Sequence, residues 1–210
     1  GLNSVVQVAD GTRYECTIRR LVRTMSRDDR NAVVAGDHVL IRPDGDEHQA
    51  VIERVEPRRS YLSRGSKRRE HILVSNIDQA VIVVSADDPP LKPSLIDRFL
   101  ISSEKGNIHS IICINKIDLV DPVAFQPLIG VYAQMGYDIV LTSVTEGTGI
   151  PRLRSLLKGK QSVFSGQSGV GKSSLLNQID ERLSLETAEI SQENRKGRHT
   201  TRSALLLEIA

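Results

Sequence analysis

The sequence is poor in aromatic residues and in cysteine. Its 210 residues contain no tryptophan, three phenylalanines, four tyrosines and two cysteines, Cys16 and Cys113. Neither cysteine has a neighbour at metal-ligand spacing, so the pattern predicts neither a zinc site nor a disulfide framework, in agreement with a reducing compartment. Apolar runs of membrane-spanning length and a signal-peptide pattern are also missing, so we expect a soluble, cytoplasmic protein without membrane contact.

The net charge of +2 is too small to indicate a nucleic-acid-binding protein. The basic residues are nevertheless unevenly placed, because six of them and no acidic residue lie between Arg58 and Arg69. This run is either a solvated linker or a contact to RNA or phosphate, and the sequence leaves both interpretations open. The candidate RNA contacts are Arg19, Arg20, Arg23, Arg58, Arg59, Arg68 and Arg69.

The first part of the chain, residues 1–60, contains short β-type runs separated by turns rich in glycine and aspartate. This pattern predicts a small all-β barrel, and we favour an OB-type barrel, which offers a strand face and loops to RNA. Tyr14 is its single aromatic residue, which favours contact with the RNA backbone or shape over base stacking. Residues 61–75 are predicted to be a basic linker.

From residue 76 to residue 210 the pattern changes to buried strands that alternate with amphipathic helices. The apolar runs Ala80–Val84, Ser110–Ile114 and Asp138–Thr142 are typical of strands covered on both faces. Helices are predicted between them, one from about Ser94 and one that begins at Asp121-Pro122. The alternation predicts an α/β domain with a mostly parallel, doubly wound sheet.

A complete phosphate-loop motif, G-x-x-x-x-G-K-[ST], begins at Gly166. It follows a predicted strand, Ser162–Ser165, and precedes a predicted helix, as the motif requires. Backbone N–H groups of such a loop surround phosphates, Lys172 can bridge the β- and γ-phosphates, and Ser173 can bind Mg²⁺. The candidate phosphate-binding residues are Gly166, Gln167, Ser168, Gly169, Val170, Gly171, Lys172, Ser173 and Ser174.

A guanine-recognition motif, N-K-x-D, occurs at Asn115–Asp118. A carboxylate at Asp118 can accept hydrogen bonds from both N1–H and the N2 amino group of guanine, a pair of donors that adenine lacks. Asn115 can tie this loop to the phosphate loop, while the stem of Lys116 can lie over the base. GTPases usually carry the two motifs in the opposite order, so the sequence predicts a circularly permuted GTPase.

Two weaker patterns agree with this prediction. Ser143 and Val144 follow the strand after N-K-I-D and are similar to the S-A-type loop that contacts guanine O6, although a plain turn remains an alternative. Gly197–Thr201 follows the phosphate-loop helix where a first switch is expected, and Thr200 or Thr201 could complete the Mg²⁺ shell. No D-x-x-G turn, the usual mark of the second switch, occurs in the sequence.

Together the N-K-I-D, T-S-V, G-Q-S-G-V-G-K-S-S and G-R-H-T-T motifs resemble those of the RsgA (YjeQ) family, circularly permuted GTPases of the small ribosomal subunit. The resemblance implies slow, ribosome-stimulated GTP hydrolysis with Mg²⁺, a role in late subunit maturation, and rRNA contact by the barrel. It also implies catalytic roles for His199, Lys172, Thr200 and Thr201. The second switch and a carboxyl-terminal zinc-binding domain of that family are absent from these residues, so Zn²⁺ is expected only in that further domain.

The sequence therefore predicts a monomeric α/β phosphate-loop GTPase domain, circularly permuted and preceded by a small OB-type barrel. Its partners would be the small ribosomal subunit and its rRNA. Two alternatives remain open: an ATP-using phosphate-loop protein in which N-K-I-D is incidental, and a non-hydrolysing RNA-binding module. Nucleotide preference distinguishes a GTPase from the ATP-using protein. RNA affinity that does not depend on bound nucleotide would indicate the RNA-binding module.

Overall fold

A computed structural model describes residues 3–19, 22, 32–45, 48–66 and 69–183. The chain divides into two compact units, Gly1–Asn76 and Ile77–Ala210. Strands of the first unit are β1 (Asn3–Gln7), β2 (Arg13–Ile18), β3 (Val39–Pro43), β4 (Gln49–Val55), β5 (Tyr61–Ser66) and β6 (Arg69–Ser75). Strands of the second unit are β7 (Gln79–Ser85), β8 (His109–Asn115), β9 (Asp138–Thr142) and β10 (Ser162–Ser165).

In its described part the first unit consists mainly of β-strands. Strands β1 to β4 form one sheet in the order β1-β2-β4-β3, in which β2 and β4 run parallel and the other neighbours antiparallel. Alternate residues of these strands face a small core around Cys16, Ala50 and Ile52. The sequence pattern predicted short strands here, and their burial has a period of two because side chains alternate between the faces of a strand.

Residues 61–66 and 69–75 form the two strands of a β-hairpin, whereas the sequence indicated a basic linker over residues 61–75. Strands β5 and β6 pair antiparallel, and Leu62 lies opposite Val74 with both side chains buried. The basic run concealed this alternation of apolar residues. The end of the hairpin packs closely against Gly36 in the loop before β3. A Cβ atom at Gly36 would lie 2.0 Å from the Ser75 carbonyl oxygen, which is too close for any side chain. The boundary between the units consequently falls after Asn76.

The second unit is a parallel sheet in the order β10-β7-β8-β9. Its helices are α1 (Pro93–Lys105), α2 (Gln126–Gln134), α3 (Ile150–Leu157) and α4 (Lys172–Ile179). Short 3₁₀ turns at Ile117–Leu119 and Pro122–Phe125 follow β8. Asp121 caps the 3₁₀ turn Pro122–Phe125 by accepting a hydrogen bond from the Val123 N–H, whereas the α-helix itself begins at Gln126, four residues after the predicted Pro122.

Helices cover both faces of this sheet, as the continuous apolar runs predicted. All seven residues of β7 are buried. Val81 and Val83 face a cluster that includes residues of α3 and α4, while Ile82 and Val84 face one that includes residues of α1 and α2. Because successive side chains of a strand point to opposite faces, each residue of β7 packs against one of the two helix layers. Among the described residues, no helix combines the length and the apolar character that a membrane span requires.

Candidate functional site

Three loops with the predicted chemistry meet at the carboxyl edge of the parallel sheet. N-K-I-D follows β8, T-S-V follows β9 and the phosphate loop follows β10. Asn115 lies opposite both Ser85 of β7 and Thr142 of β9 in the strand register. Open α/β sheets bind ligands at this edge because loops that leave parallel strands converge there.

The phosphate loop is packed too closely for side chains at two of its glycines. A Cβ atom on Gly166 would lie 2.2 Å from the Val83 carbonyl oxygen, and one on Gly171 would lie 2.4 Å from Asn115 Nδ2. Gly171 also has a φ of +90°, which favours glycine. Val170, between them, is fully buried in the core on the α3 and α4 side. The loop is thus fixed at both ends and at its apolar centre.

Lys172 lies across this loop at the start of α4. Its ammonium group donates to the carbonyl oxygens of Gly166, at 3.1 Å, and Gln167, at 2.7 Å. Burial lowers the pKa of Lys172 below its ordinary value. A phosphate would give this partly desolvated cation a stronger partner than two carbonyl groups do. Ser173 and Ser174 follow in the first turn of α4, at the positive end of the helix dipole.

Asn115 connects the N-K-I-D loop to the phosphate loop, as the sequence predicted. Its side chain is almost completely buried. Nδ2 donates to the Val170 carbonyl oxygen at 2.9 Å, and Oδ1 accepts from the Thr142 hydroxyl at 3.0 Å. One amide therefore holds β8, β9 and the loop after β10 together.

Lys116 and Asp118 are presented at the surface of the same edge. Lys116 has a left-handed φ of 61° and its ammonium donates to the Asp88 carbonyl oxygen at 2.5 Å. Asp118 is exposed, and hydroxyl hydrogen bonds, chiefly from Ser143, lower the pKa of its carboxyl group. An ionised carboxylate that accepts hydrogen bonds is the form needed to receive two donors from guanine.

The T-S-V motif leads into a turn at residues 144–146, in which the Glu146 N–H donates to the Ser143 hydroxyl at 3.2 Å. The Ser143 N–H donates to the Thr148 carbonyl oxygen at 3.0 Å, whereas no acceptor for the Val144 N–H lies among the described residues. The side chain of Val144 packs against the core. Of the two residues predicted here, Val144 is therefore the one whose N–H can face a base carbonyl.

Two contributors to the site were missed in the sequence. The Thr145 hydroxyl lies 2.9 Å from the Ser143 hydroxyl and also lowers the pKa of Asp118. A polar turn directly after T-S-V was the available signal for Thr145. The Asp88 carbonyl, which holds Lys116, had none, because a backbone contact leaves no mark on residue type.

The candidate RNA contacts divide into different environments. Arg58 is largely buried and its guanidinium forms two hydrogen bonds with Asp37, so its contact in the structure is intramolecular. Arg59 is exposed but donates to the Asn76 carbonyl oxygen. Arg19 is exposed beside Glu53, at 3.7 Å. The side chains of Arg20, Arg23, Arg68 and Arg69 lie outside the described residues.

His199, Thr200 and Thr201 also lie outside the part of the chain that the structure describes. Their predicted roles in catalysis and Mg²⁺ binding consequently stay predictions. Within the described part, no group of three or more His, Cys, Asp or Glu side chains is placed to hold a metal ion. The Ser173 hydroxyl, an oxygen ligand of the kind that Mg²⁺ prefers, is partly exposed at the start of α4.

A parallel sheet that carries N-K-I-D, T-S-V and then a phosphate loop at one edge defines the chain as a circularly permuted phosphate-loop GTPase domain. The inverted order of the motifs along the chain does not disturb the site. In the strand order β10-β7-β8-β9, only β7 separates the strand before the phosphate loop from the strand before N-K-I-D.

The chain belongs to the RsgA GTPase family, whose model matches residues 55–210. It is 39% identical over 220 residues to a small ribosomal subunit biogenesis GTPase RsgA of Chlorobaculum parvum, covering all of this chain and 70% of the relative. A Bacillus pumilus protein of the same name is 41% identical over 192 residues, or 90% of this chain and 62% of the relative.

The chain is also similar to solved structures, among them the following two. YjeQ from Thermotoga maritima matches with a TM-score of 0.67 and 35% identity, over 89% of this chain and 64% of that one. YloQ, described as a circularly permuted GTPase, matches with a TM-score of 0.61 and 30% identity, over 87% and 62%. The chain thus spans roughly two thirds of the length of these relatives.

Proposed function

We propose that the chain binds GTP and GDP and belongs to a protein that hydrolyses GTP during late maturation of the small ribosomal subunit. The observation that carries the proposal is the hydrogen bond from Asn115 to Val170. It joins a loop suited to guanine to a loop suited to phosphates, so that one ligand can engage both. Membership of the RsgA GTPase family and the names of its relatives support the ribosomal role and action in the cytoplasm.

In this proposal each loop recognises one part of the nucleotide. Asp118 accepts the N1–H and N2 donors of guanine, Lys116 lies over the base, and the Val144 N–H faces O6, with Ser143 holding Asp118. The glycine-rich loop surrounds the phosphates, and the Lys172 ammonium exchanges its two carbonyl partners for phosphate oxygens. Phosphoryl transfer needs mainly such positioning and charge neutralisation.

Mg²⁺ would neutralise charge on the β- and γ-phosphates when bound. Ser173 would supply one oxygen ligand, and Thr200 or Thr201 would supply another. His199 is proposed to orient the attacking water. These assignments are supported by the fit of Ser173, whose hydroxyl stands in the first turn of the phosphate-loop helix, and by the family to which the chain belongs.

The first unit is proposed to be an OB-type barrel that contacts rRNA as part of a monomeric factor. Its mixed sheet of short strands supports this fold, and exposed arginines such as Arg19 and Arg59 support contact with a polyanion. Arg58 is omitted from this face because its guanidinium is already paired with Asp37. On the resemblance alone, Zn²⁺ is proposed to bind only in a carboxyl-terminal domain of the kind that the family carries, and not in these 210 residues.

Nucleotide competition tests the proposed function. GTP should displace labelled GDP from the wild-type chain at far lower concentrations than ATP does. Asp118→Asn should move the preference from guanine to xanthine nucleotides, because an amide can donate to the second carbonyl of xanthine. Equal displacement by ATP and GTP would contradict the proposal and favour an ATP-using protein. Salt-sensitive RNA binding with no nucleotide binding would favour the RNA-binding module.

A further inference from the structure

A chain of hydrogen bonds runs from the centre of the sheet to the phosphate loop. Cys113 and Asn115 lie on the same face of β8, two residues apart, and Thr142 lies beside both on β9. The Cys113 sulfur is 3.4 Å from the Thr142 hydroxyl oxygen, which is 3.0 Å from Asn115 Oδ1. Asn115 Nδ2 then reaches the Val170 carbonyl oxygen at 2.9 Å.

The chemistry of these groups gives the chain one direction. The Val170 carbonyl only accepts, so the Asn115 amide must turn its NH₂ group toward it and its oxygen toward Thr142. That amide oxygen also only accepts, so the Thr142 hydroxyl must donate its single proton to it. The Thr142 oxygen is then left to accept from the Cys113 thiol.

Burial keeps the first donor protonated. Cys113 and Thr142 are both fully buried, and burial raises the pKa of the Cys113 thiol to about 12. The thiol therefore retains its proton at physiological pH and remains a donor, although a weak one. No other arrangement of the protons satisfies all four groups.

We propose that Thr142, supported by Cys113, is a positioning residue that fixes the Asn115 amide in the orientation that holds the phosphate loop against the base-reading loop. The proposal rests on the proposed function, since it concerns how one nucleotide is gripped at both ends. Without the Thr142 proton, the amide keeps only its bond to the Val170 carbonyl, and its buried oxygen is left without a donor. The Thr142 bond is thus one of two that resist a half-turn, after which Asn115 Oδ1 would face the Val170 carbonyl oxygen and two acceptors would repel.

The close packing around Asn115 transmits this orientation. Gly171 approaches the same amide so closely that a Cβ atom there would lie 2.4 Å from Nδ2. A change in the orientation of the Asn115 amide should therefore shift the backbone of Gly171, which directly precedes Lys172. Since the loop's N–H groups contact phosphate, the consequence should appear in the affinity for the diphosphate.

A double-mutant cycle tests the proposal through GDP affinity. Thr142→Val keeps the side-chain shape and removes the hydroxyl, so it should weaken GDP binding about five- to tenfold, the effect of one buried hydrogen bond and an unpaired acceptor. Thr142→Ser should restore most of the affinity. In an Asn115→Ala background, Thr142→Val should have no further effect, because Thr142 acts through Asn115.

Matched variants separate positioning from packing. Cys113→Ser keeps a donor and should bind GDP like the wild type, whereas Cys113→Ala should weaken binding about two- to threefold, since a thiol is a weak donor. Ser110→Ala is the control, because Ser110 is a buried residue of the same strand whose hydroxyl has no partner among the described residues. It should leave GDP affinity unchanged.

Nuclear magnetic resonance provides a readout that survives if Asn115→Ala fails to fold. The side-chain NH₂ protons of Asn115 should exchange slowly in the wild type and in Thr142→Ser, and much faster in Thr142→Val. Equal exchange in Thr142→Val and the wild type, or additive losses in the cycle, would overturn the positioning role. Failure of the wild type to bind guanine nucleotides would instead refute the proposed function.

Discussion

Removal of the Asp37 carboxylate should strongly destabilise the first unit and leave the stability of the second unit unchanged. Asp37 has only 1% of its side chain exposed, and its partner Arg58 has 19%. Its two oxygens accept four hydrogen bonds: from Arg58 Nε at 2.6 Å and Nη2 at 2.8 Å, from the Ser75 hydroxyl at 2.6 Å, and from the Val34 N–H at 2.9 Å. These donors come from the loop before β3, the segment before β5 and the end of β6.

The expected loss follows from this burial. Removing one partner of a buried ion pair costs about 3–5 kcal/mol, because the other charge is left without compensation. The folding free energy of a small domain is only ~5–15 kcal/mol, and a unit of this size belongs near the lower end. Asp37→Ala should therefore consume most of the stability of Gly1–Asn76.

An exposed ion pair in the same unit provides the control. Arg54 and Glu56 are 2.7 Å apart, but their side chains are 66% and 40% exposed. Water screens this pair, so Arg54→Ala should change the free energy of unfolding by at most about 1 kcal/mol. Both pairs are ion pairs of the same unit, and they differ in burial and in the two further hydrogen bonds that Asp37 accepts from Ser75 and Val34.

Hydrogen exchange measured by mass spectrometry can follow both units in one sample. Peptides from β4 should lose protection in Asp37→Ala and keep it in Arg54→Ala, while peptides from β8 should be unaffected in both variants. Equal protection of β4 in the two variants would refute the structural role of the pair. In that case Arg58 would return to the list of candidate RNA contacts.

Two further predictions concern the phosphate loop. Gly171→Ala should strongly weaken GDP binding measured by calorimetry, since the added Cβ would meet Asn115. Gly147→Ala is the control: Gly147 has a φ of +72° and open space around it, so this variant carries only backbone strain and should bind GDP normally. Equal losses would show that the contact is unimportant. Burial lowers the pKa of Lys172 from 10.5, and a bound phosphate would raise it again, so GDP prefers the protonated amine. The affinity for GDP should consequently fall as the pH rises through the lowered pKa of Lys172. Lys172→Met should bind GDP weakly, and its affinity should change with pH only through the titration of the guanine base. An identical pH profile in both proteins would exclude a role of the Lys172 amine.

The hydrogen bond from Asn115 to Val170 shows how a permuted chain can still bring its two motifs together. The base-reading loop precedes the phosphate loop by about fifty residues, yet the two are joined by a single buried amide. Contact between loops depends on their strands being close in the sheet and not on chain order. Permutation therefore preserves the site as long as β10 pairs with β7, which in turn pairs with β8.

Much of the second unit could be predicted from local patterns. Strands β9 and β10 have the predicted bounds, and the apolar runs at β7 and β8 were each one residue short at both ends. Continuous apolar runs bounded by polar turns are a strong signal because both faces of such strands are buried. The hairpin of β5 and β6 was missed because its charged residues conceal a short alternation of apolar ones.

The sequence by itself determined the chemistry of the site: N-K-I-D, the phosphate loop and their reversed order are contiguous motifs whose residue types define what they can bind. The tertiary structure decided which groups carry that chemistry together. It placed Thr142 and Cys113 behind Asn115, Thr145 beside Ser143, and Asp37 against Arg58. Most of these partners are distant in the chain, and the directions of their hydrogen bonds depend on burial and strand register, which exist only after the chain has folded.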